Sequence, residues 1–259
     1  TRNLSGEMIN RIAQKVPNLI GGSADLSPSN KTIMKNRKHF TPEDHSGSNL
    51  HFGVREHAMS AIGNGMLLHG GLRPYVATFF VFSDYMKGGM RLSAIMGIPL
   101  TYVLTHDSIG VGEDCPTHEP IEQMAAVRSI PNFTTFRPCD GTETAAGWYT
   151  ALTRRTGPVG LMLTRQKLPA IAETSREALK GGYILVDSGK EQPDIILIAS
   201  GSEVHLAYEA RKILKRQGID ARVVSMPSFE LFEEQSMEYK ESVLPNQARN
   251  RLAVEAGHS

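Results

Sequence analysis

Between Asn18 and about Arg165 the sequence alternates short apolar runs with stretches of helical periodicity, and few folds accommodate that alternation. The runs Leu50 to Val54, Pro74 to Phe80, Pro99 to Leu104, Phe133 to Arg137 and Val159 to Leu163 read as strands. Most are apolar along their length rather than at every second residue, as strands covered on both faces must be. With a helix-length segment between successive strands, the arrangement that buries both faces is a parallel sheet with helices on each side, an α/β fold. Every strand then ends on one edge, so residues that follow different strands face common ground. On this reading His106, Asp140 and Arg165 open on one cleft.

Around Pro169 to Gly182 the pattern gives way to a polar stretch with no strand of its own, which divides the chain into units 1–174 and 175–259. The second unit carries strand candidates Tyr183 to Val186, Ile195 to Ile198, Ala221 to Ser225 and Arg251 to Ala256. A helix with Leu206, Ala210, Ile213 and Leu214 on one face, stopped by Gly218, lies among them. The unit is short for a covered parallel sheet, so an incomplete second α/β domain is expected.

Charge excludes some functions. Lys plus Arg number 28 against 27 Asp plus Glu, a net +1. Nucleic-acid and membrane surfaces need a concentrated basic excess, so neither partner is expected. No apolar stretch approaches the ~20 residues that span a bilayer. The two cysteines, Cys115 and Cys139, lack zinc-site spacing, which points to a reduced, cytoplasmic protein. Gly110-Val111-Gly112 lacks the third glycine of a dinucleotide fingerprint, and no His-Glu-x-x-His pattern occurs.

The segment Thr105 to His118 sets two histidines and three carboxylates around two glycines directly after an apolar strand. His106 and His118 are either loop histidines satisfied by nearby carbonyls or parts of a reaction site, and Asp107, Glu113 and Asp114 beside them favour the site. Pro120 followed by Ile121, Met124 and Ala125 predicts an amphipathic helix with proline in its first turn. In Gly53 to Ile62, Glu56 opens an apolar helix, where the helix dipole favours a carboxylate. It reads either as a simple first-turn Glu or as a buried group ready to share a proton with a ligand nitrogen. Phe79, Phe82 and Tyr85 recur every third residue, as core packing or as the wall around a flat ring.

Several of these segments, in one order, resemble transketolase: Gly22-Ser23-Ala24-Asp25-Leu26-Ser27-Pro28-Ser29-Asn30, Gly53 to Ile62, the aromatic ladder, Thr105 to His118 and Leu163-Thr164-Arg165-Gln166. The resemblance implies a pyrimidine-binding domain followed by the start of the carboxyl-terminal domain. It implies thiamine diphosphate, transfer of a two-carbon ketol unit between sugar phosphates in the pentose phosphate pathway, and a homodimer. By it Glu56 contacts the pyrimidine N1′, Phe79, Phe82 and Tyr85 wall the ring, and Asp25 lies near the cofactor. His106, His118 and Asp114 meet the sugar, with Glu56, His106 and His118 catalytic, while Arg2, Ser29 and Arg165 hold its phosphate. Cys115 stands where a glycine is expected.

The family's Gly-Asp-Gly segment, which with a downstream Asn holds the diphosphate and Mg2+ or Ca2+, is not in this sequence. No metal ligand is therefore expected in this chain, and catalysis is expected only beside an amino-terminal diphosphate-binding domain. The abrupt ends favour a piece of a longer chain over a natural split subunit. Deoxyxylulose-phosphate synthase, the beta subunit of the pyruvate dehydrogenase decarboxylase and a non-catalytic dimerisation or regulatory module are the competing readings.

Overall fold

The computed structural model describes residues 1–112, 116–190 and 192–257. The first part runs α1 (Arg2–Ala13), β1 (Leu19–Ser23), α2 (Ser27–Asn30), β2 (Asn49–His51), α3 (Glu56–His69), β3 (Arg73–Phe79), α4 (Ser83–Ile95), β4 (Thr101–Thr105), α5 (Gln123–Arg128), β5 (Thr134–Phe136), α6 (Gly141–Thr153) and β6 (Val159–Leu163). Its strands form one wholly parallel sheet in the order β2-β1-β3-β4-β6-β5.

Residue alternation assigns each face of this sheet to its helices. Tyr75, Ala77, Val103, Leu161 and Leu163 pack with Ile9 of α1 and Ala146, Trp148 and Ala151 of α6. The residues between them, Val76, Tyr102, Leu104 and Met162, pack with Met59 of α3, Met86, Met90 and Ala94 of α4, and Met124 and Val127 of α5. The sheet is thus buried on both sides, which explains why its strands lack polar alternation.

β1 is the strand that the apolar runs do not mark. Its Gly21 and Gly22 leave no room for side chains: a Cβ on Gly21 would meet the backbone and ring of Tyr75, and one on Gly22 the carbonyl of Leu50. The expected helix at Pro120 also differs, because α5 begins at Gln123 and Pro120 precedes it. The Ile121 N–H donates instead to Gln123 Oε1 at 2.9 Å, a side-chain bond that holds the segment in a turn.

The second part contains β7 (Tyr183–Val186), β8 (Ile195–Ala199), α7 (Glu203–Arg216), β9 (Ala221–Ser225), α8 (Phe229–Glu233), α9 (Met237–Val243) and β10 (Arg251–Val254). The sheet order is β10-β8-β9-β7 and the sheet is mixed, since β7 runs antiparallel to β9. On α7 the buried stripe is Glu203, Val204 and Ala207, with Ala210 and Leu214 half-buried against the core. Leu206 and Ile213, expected on the same face, are exposed, because the helical step of about 100° per residue takes both off the Val204 stripe.

The connection between the sheets is packed. Ile171 and Ala178 belong to an apolar core that continues into Tyr183, Leu185, Leu197, Ala199, Val204 and Val223. Inside it, Glu143 of α6 is fully buried and accepts hydrogen bonds from Ser225 Oγ at 2.6 Å, Tyr183 OH at 2.9 Å and the Cys139 N–H at 2.8 Å. Burial raises its carboxyl pKa above the ordinary 4.5, and the donors from Ser225, Cys139 and Tyr183 only partly offset this. A raised folded-state pKa means a contribution that is complete below about 4.5 and is lost as pH rises through the folded value. The stability of the native chain relative to Glu143→Gln should therefore fall as pH rises above about 4.5. Denaturant midpoints measured across that range check it, and parallel pH curves for the two proteins would contradict it.

Candidate active site

The sheet leaves β1 in one direction to β2 and returns on the other side to β3, which makes the carboxyl end of β1 a topological switch point, the usual ligand position in open α/β sheets. Asp25 follows β1 and is exposed, with φ at +59°, and Ser29 lies in α2 just beyond it. Glu56 begins α3 after β2, Phe79 ends β3, His106 follows β4 and Arg165 follows β6. Arg2, from the start of α1, reaches the same edge.

His106 is buried and takes a left-handed backbone, φ +60°. Its ring is bonded at both nitrogens. Nε2 lies 3.1 Å from Arg2 Nη1, and a guanidinium only donates, so Nε2 accepts. Nδ1 then carries the proton and donates to Thr105 Oγ1 at 2.8 Å. That hydroxyl donates in turn to Asn30 Oδ1 at 2.6 Å, and Asn30 Nδ2 donates to Ser23 Oγ at 3.1 Å. The tautomer of His106 is thus set by a chain of polar groups under β1 and β4. Arg2 Nη1 also donates to the Ser29 carbonyl at 2.8 Å, which brings Arg2, Ser29 and His106 together.

The aromatic ladder stands against this cluster. Phe79 and Phe82 are stacked with centroids 6.0 Å apart and planes 5° apart, and Phe82 stacks on Tyr85 at 6.0 Å. The His106 ring lies 3.6 Å from Phe79, while His118 sits edge-on to Phe79 at 6.1 Å and to Phe82 at 5.4 Å. The three aromatic rings and two histidines therefore form one wall, each aromatic pair contributing about 0.5–1.5 kcal/mol beyond area burial. Phe79 is buried, Phe82 half-buried and Tyr85 exposed, so the wall opens outward along its length.

Glu56 is 8 % exposed, and its carboxyl accepts no hydrogen bond from any described residue. Its oxygens are not among the buried atoms that lack a partner, so the carboxyl stays open to water at this edge. This acceptor, open at the same edge as the aromatic wall, fits a flat heterocycle that offers a nitrogen to the carboxylate and a face to the rings. Among the described residues no group of three or more His, Cys, Asp or Glu could hold a metal ion.

Arg165 reaches the turn after His106, whereas Asp140 stands apart. Arg165 Nη1 donates to the Val111 carbonyl at 2.9 Å, on the short turn after His106. Asp140 does not open on the cleft: one oxygen accepts from the Glu143 N–H at the start of α6 and the other from Thr174 Oγ1. Asp114 and Cys115 lie outside the described residues. Sequence reasoning missed Thr105 and Asn30, which orient His106, and Arg137, a buried arginine that binds Asp107. Asn30 carried one signal, its place beside Ser29 after β1, whereas Arg137 carried none.

Residues 1–170 match the family model described as transketolase, pyrimidine binding domain, and residues 181–259 match the transketolase-like TK C-terminal domain. The transketolase of Bacillus subtilis (strain 168) is 56 % identical over 263 aligned residues, which cover all of this chain and 39 % of that protein. The chain thus spans about two fifths of this curated relative. A Pichia stipitis transketolase solved in complex with sedoheptulose-7-phosphate superposes at a TM-score of 0.93 with 44 % identity, over 99 % of this chain and 42 % of that one. A protein described as a split gene transketolase, inactive beta4 tetramer, superposes at 0.76 with 26 % identity, over 98 % of this chain and 78 % of its own. With both of its sheets and its sequence matched from end to end, the chain belongs to the transketolase family.

Proposed function

We propose that this chain supplies the pyrimidine-binding half of a thiamine diphosphate site. Assembled with an amino-terminal diphosphate-binding domain, it would transfer a two-carbon ketol unit from a ketose phosphate to an aldose phosphate, the transketolase reaction of the pentose phosphate pathway. The observation that carries this reading is the largely buried Glu56, its carboxyl open at the same sheet edge as the Phe79, Phe82, His106 and His118 wall. Residues 1–174 are assigned to pyrimidine binding and 175–259 to the second, carboxyl-terminal unit.

When bound, thiamine diphosphate supplies the carbon nucleophile and the electron sink for carbon–carbon cleavage. Glu56 would accept a hydrogen bond at N1′ of the pyrimidine and hold the proton there, a bond strengthened where water is excluded. Phe79, Phe82 and Tyr85 would take the ring face, with Asp25 beside it. His106 Nε2 accepts from Arg2, so a sugar hydroxyl arriving there would take the place of Arg2 as donor to Nε2, with the cation still beside it. His118, on the wall's outer end, and Asp114 would meet further hydroxyls, and such fixed donors and acceptors select one stereochemistry. Arg2, Ser29 and Arg165 would hold the phosphate by charge-assisted contacts. The relative captured with sedoheptulose-7-phosphate supports a sugar phosphate as the substrate class.

The divalent cation, Mg2+ or Ca2+, belongs in this proposal to the diphosphate-binding domain. A homodimer is supported by the exposed apolar residues Ile62 and Leu68 on α3 and Leu92 and Ile95 on α4, the helix that also carries the exposed Tyr85. That face would complete the open side of the ring wall. A cytoplasmic setting is supported by the buried, unbridged Cys139. A beta tetramer described as inactive in a relative covered over most of its length supports inactivity of this chain alone.

Two measurements test the reading. Assayed with xylulose 5-phosphate, ribose 5-phosphate, thiamine diphosphate and magnesium, the chain alone should show no transfer and the chain with its separately expressed companion domain should. Transfer by the chain alone, or none from a folded and associated mixture, would overturn it. In the active assembly Glu56→Gln should lower kcat by about 10²- to 10⁴-fold, the usual worth of a positioned acid or base, without loss of folding. An unchanged rate would remove Glu56 from the chemistry.

A further inference from the structure

The second sheet contains a switch point of its own. The chain passes from β8 to β9 on one side and returns to β10 on the other, so a crevice opens at the carboxyl ends of β8 and β10, where sheets of this kind take ligands. Here the occupant is a side chain of the first unit. Arg137, from the end of β5, is 1 % exposed. Its Nη1 donates to the Ser200 carbonyl at 3.1 Å, to Ser200 Oγ at 3.2 Å and to the Glu203 carboxylate, while Nη2 donates to Ser202 Oγ at 3.4 Å. Glu255, just past β10, stands 3.9 Å away. Gly201, at φ +55°, passes so close to the guanidinium that a Cβ there would overlap it.

The third nitrogen of the Arg137 guanidinium points back into the first unit. Nε donates to Asp107 Oδ2 at 2.8 Å, and Asp107 is the residue after His106. Asp107 is itself buried, and its Oδ1 has no hydrogen-bond partner among the described residues. The bond from Arg137 thus fixes the backbone next to a histidine held at φ +60°, a conformation that needs support from its surroundings. Acidic residues on both sides keep Arg137 charged against the cost of its burial.

We infer that Arg137 is a positioning residue: the switch-point crevice of the second unit grips its guanidinium and, through Asp107, sets the orientation of His106. This rests on the reading of His106 as a substrate-facing group. The second unit then acts on the chemistry without touching substrate.

The test uses the chain labelled with ¹⁵N-histidine, the His106 ring signals being assigned by their loss in His106→Gln. Glu203→Gln loosens the grip on Arg137, and Glu234→Gln removes another ion pair between the units, Arg154 with Glu234, which lies apart from this crevice. Glu203→Gln should shift or broaden the His106 signals and, in the chain assembled with its companion domain, lower kcat/KM about 10- to 100-fold, the scale of an ångström-level misplacement. Glu234→Gln should change neither. Where Glu203→Gln fails to fold, Ser200→Ala, which removes one acceptor from Arg137, should shift the same signals by less. Unchanged His106 signals in a folded Glu203→Gln or Ser200→Ala chain would overturn the inference. If the unmodified assembly transfers no ketol unit, the function assigned above fails, while the ring signals still decide whether Arg137 positions His106.

Discussion

Strands that all run the same way must all end at the same edge, and this one constraint places almost everything of interest in the molecule. Six parallel strands bring Asp25, Glu56, Phe79, His106 and Arg165 to one side of a sheet although they are spread over much of the sequence. A parallel sheet also has to be covered twice, since its backbone polar groups pair only within the sheet and its side chains project from both faces. The helices α1 and α6 cover one face and α3, α4 and α5 the other, so the carboxyl-end loops remain the natural place for a ligand.

The two sheets depend on each other. Their apolar core runs from Ile9 on α1 to Val223 on β9 without a break, and polar groups cross it in satisfied sets, with Glu143 bound by Tyr183 and Ser225 and Thr135 by Glu230. Buried charge is tolerated in such places only when each ion meets a partner and its hydrogen bonds are made. Glu255 illustrates the balance: burial opposes its ionisation, yet donors from Arg128 and Ser200 and the charge of Arg137 hold its pKa below the ordinary carboxylate value. Parting the two units would expose these charges singly, so the second unit is bound to the first by more than apolar contact.

Much of this was legible in the sequence, and the misses have physical causes. Val159–Leu163 and Tyr183–Val186 were readable to the residue because each is an uncharged, largely apolar run behind a Gly-Pro or Gly-Gly breaker, and Ala221–Ser225 because its Val223-Val224 pair is β-branched and lies between Gly218 and Pro227. β1 was not, since its central glycines are dictated by the closeness of Tyr75 and Leu50, which no local pattern reveals. The start of α5 was misplaced because proline at a helix start is a tendency, and a glutamine side chain bonding back to Ile121 outweighed it. On α7 the choice between neighbouring apolar stripes belonged to the sheet beneath, which took Val204 and Ala207 and left Leu206 outside. The place of Glu56 at the start of α3 and the stacking of the ladder could be read because helix position and a three-residue spacing are local signals. Arg137 could not, because its partners lie 30 to 66 residues away.

The account stands or falls on what Glu56 and the aromatic wall bind. The most direct measurement is a crystal structure of this chain assembled with a diphosphate-binding domain and thiamine diphosphate. The account requires the Glu56 carboxyl within about 3 Å of the pyrimidine N1′, a hydrogen-bond distance, with the ring against Phe79, Phe82 and Tyr85. A pyrimidine seated elsewhere, or a Glu56 carboxyl turned away from it, would contradict the account.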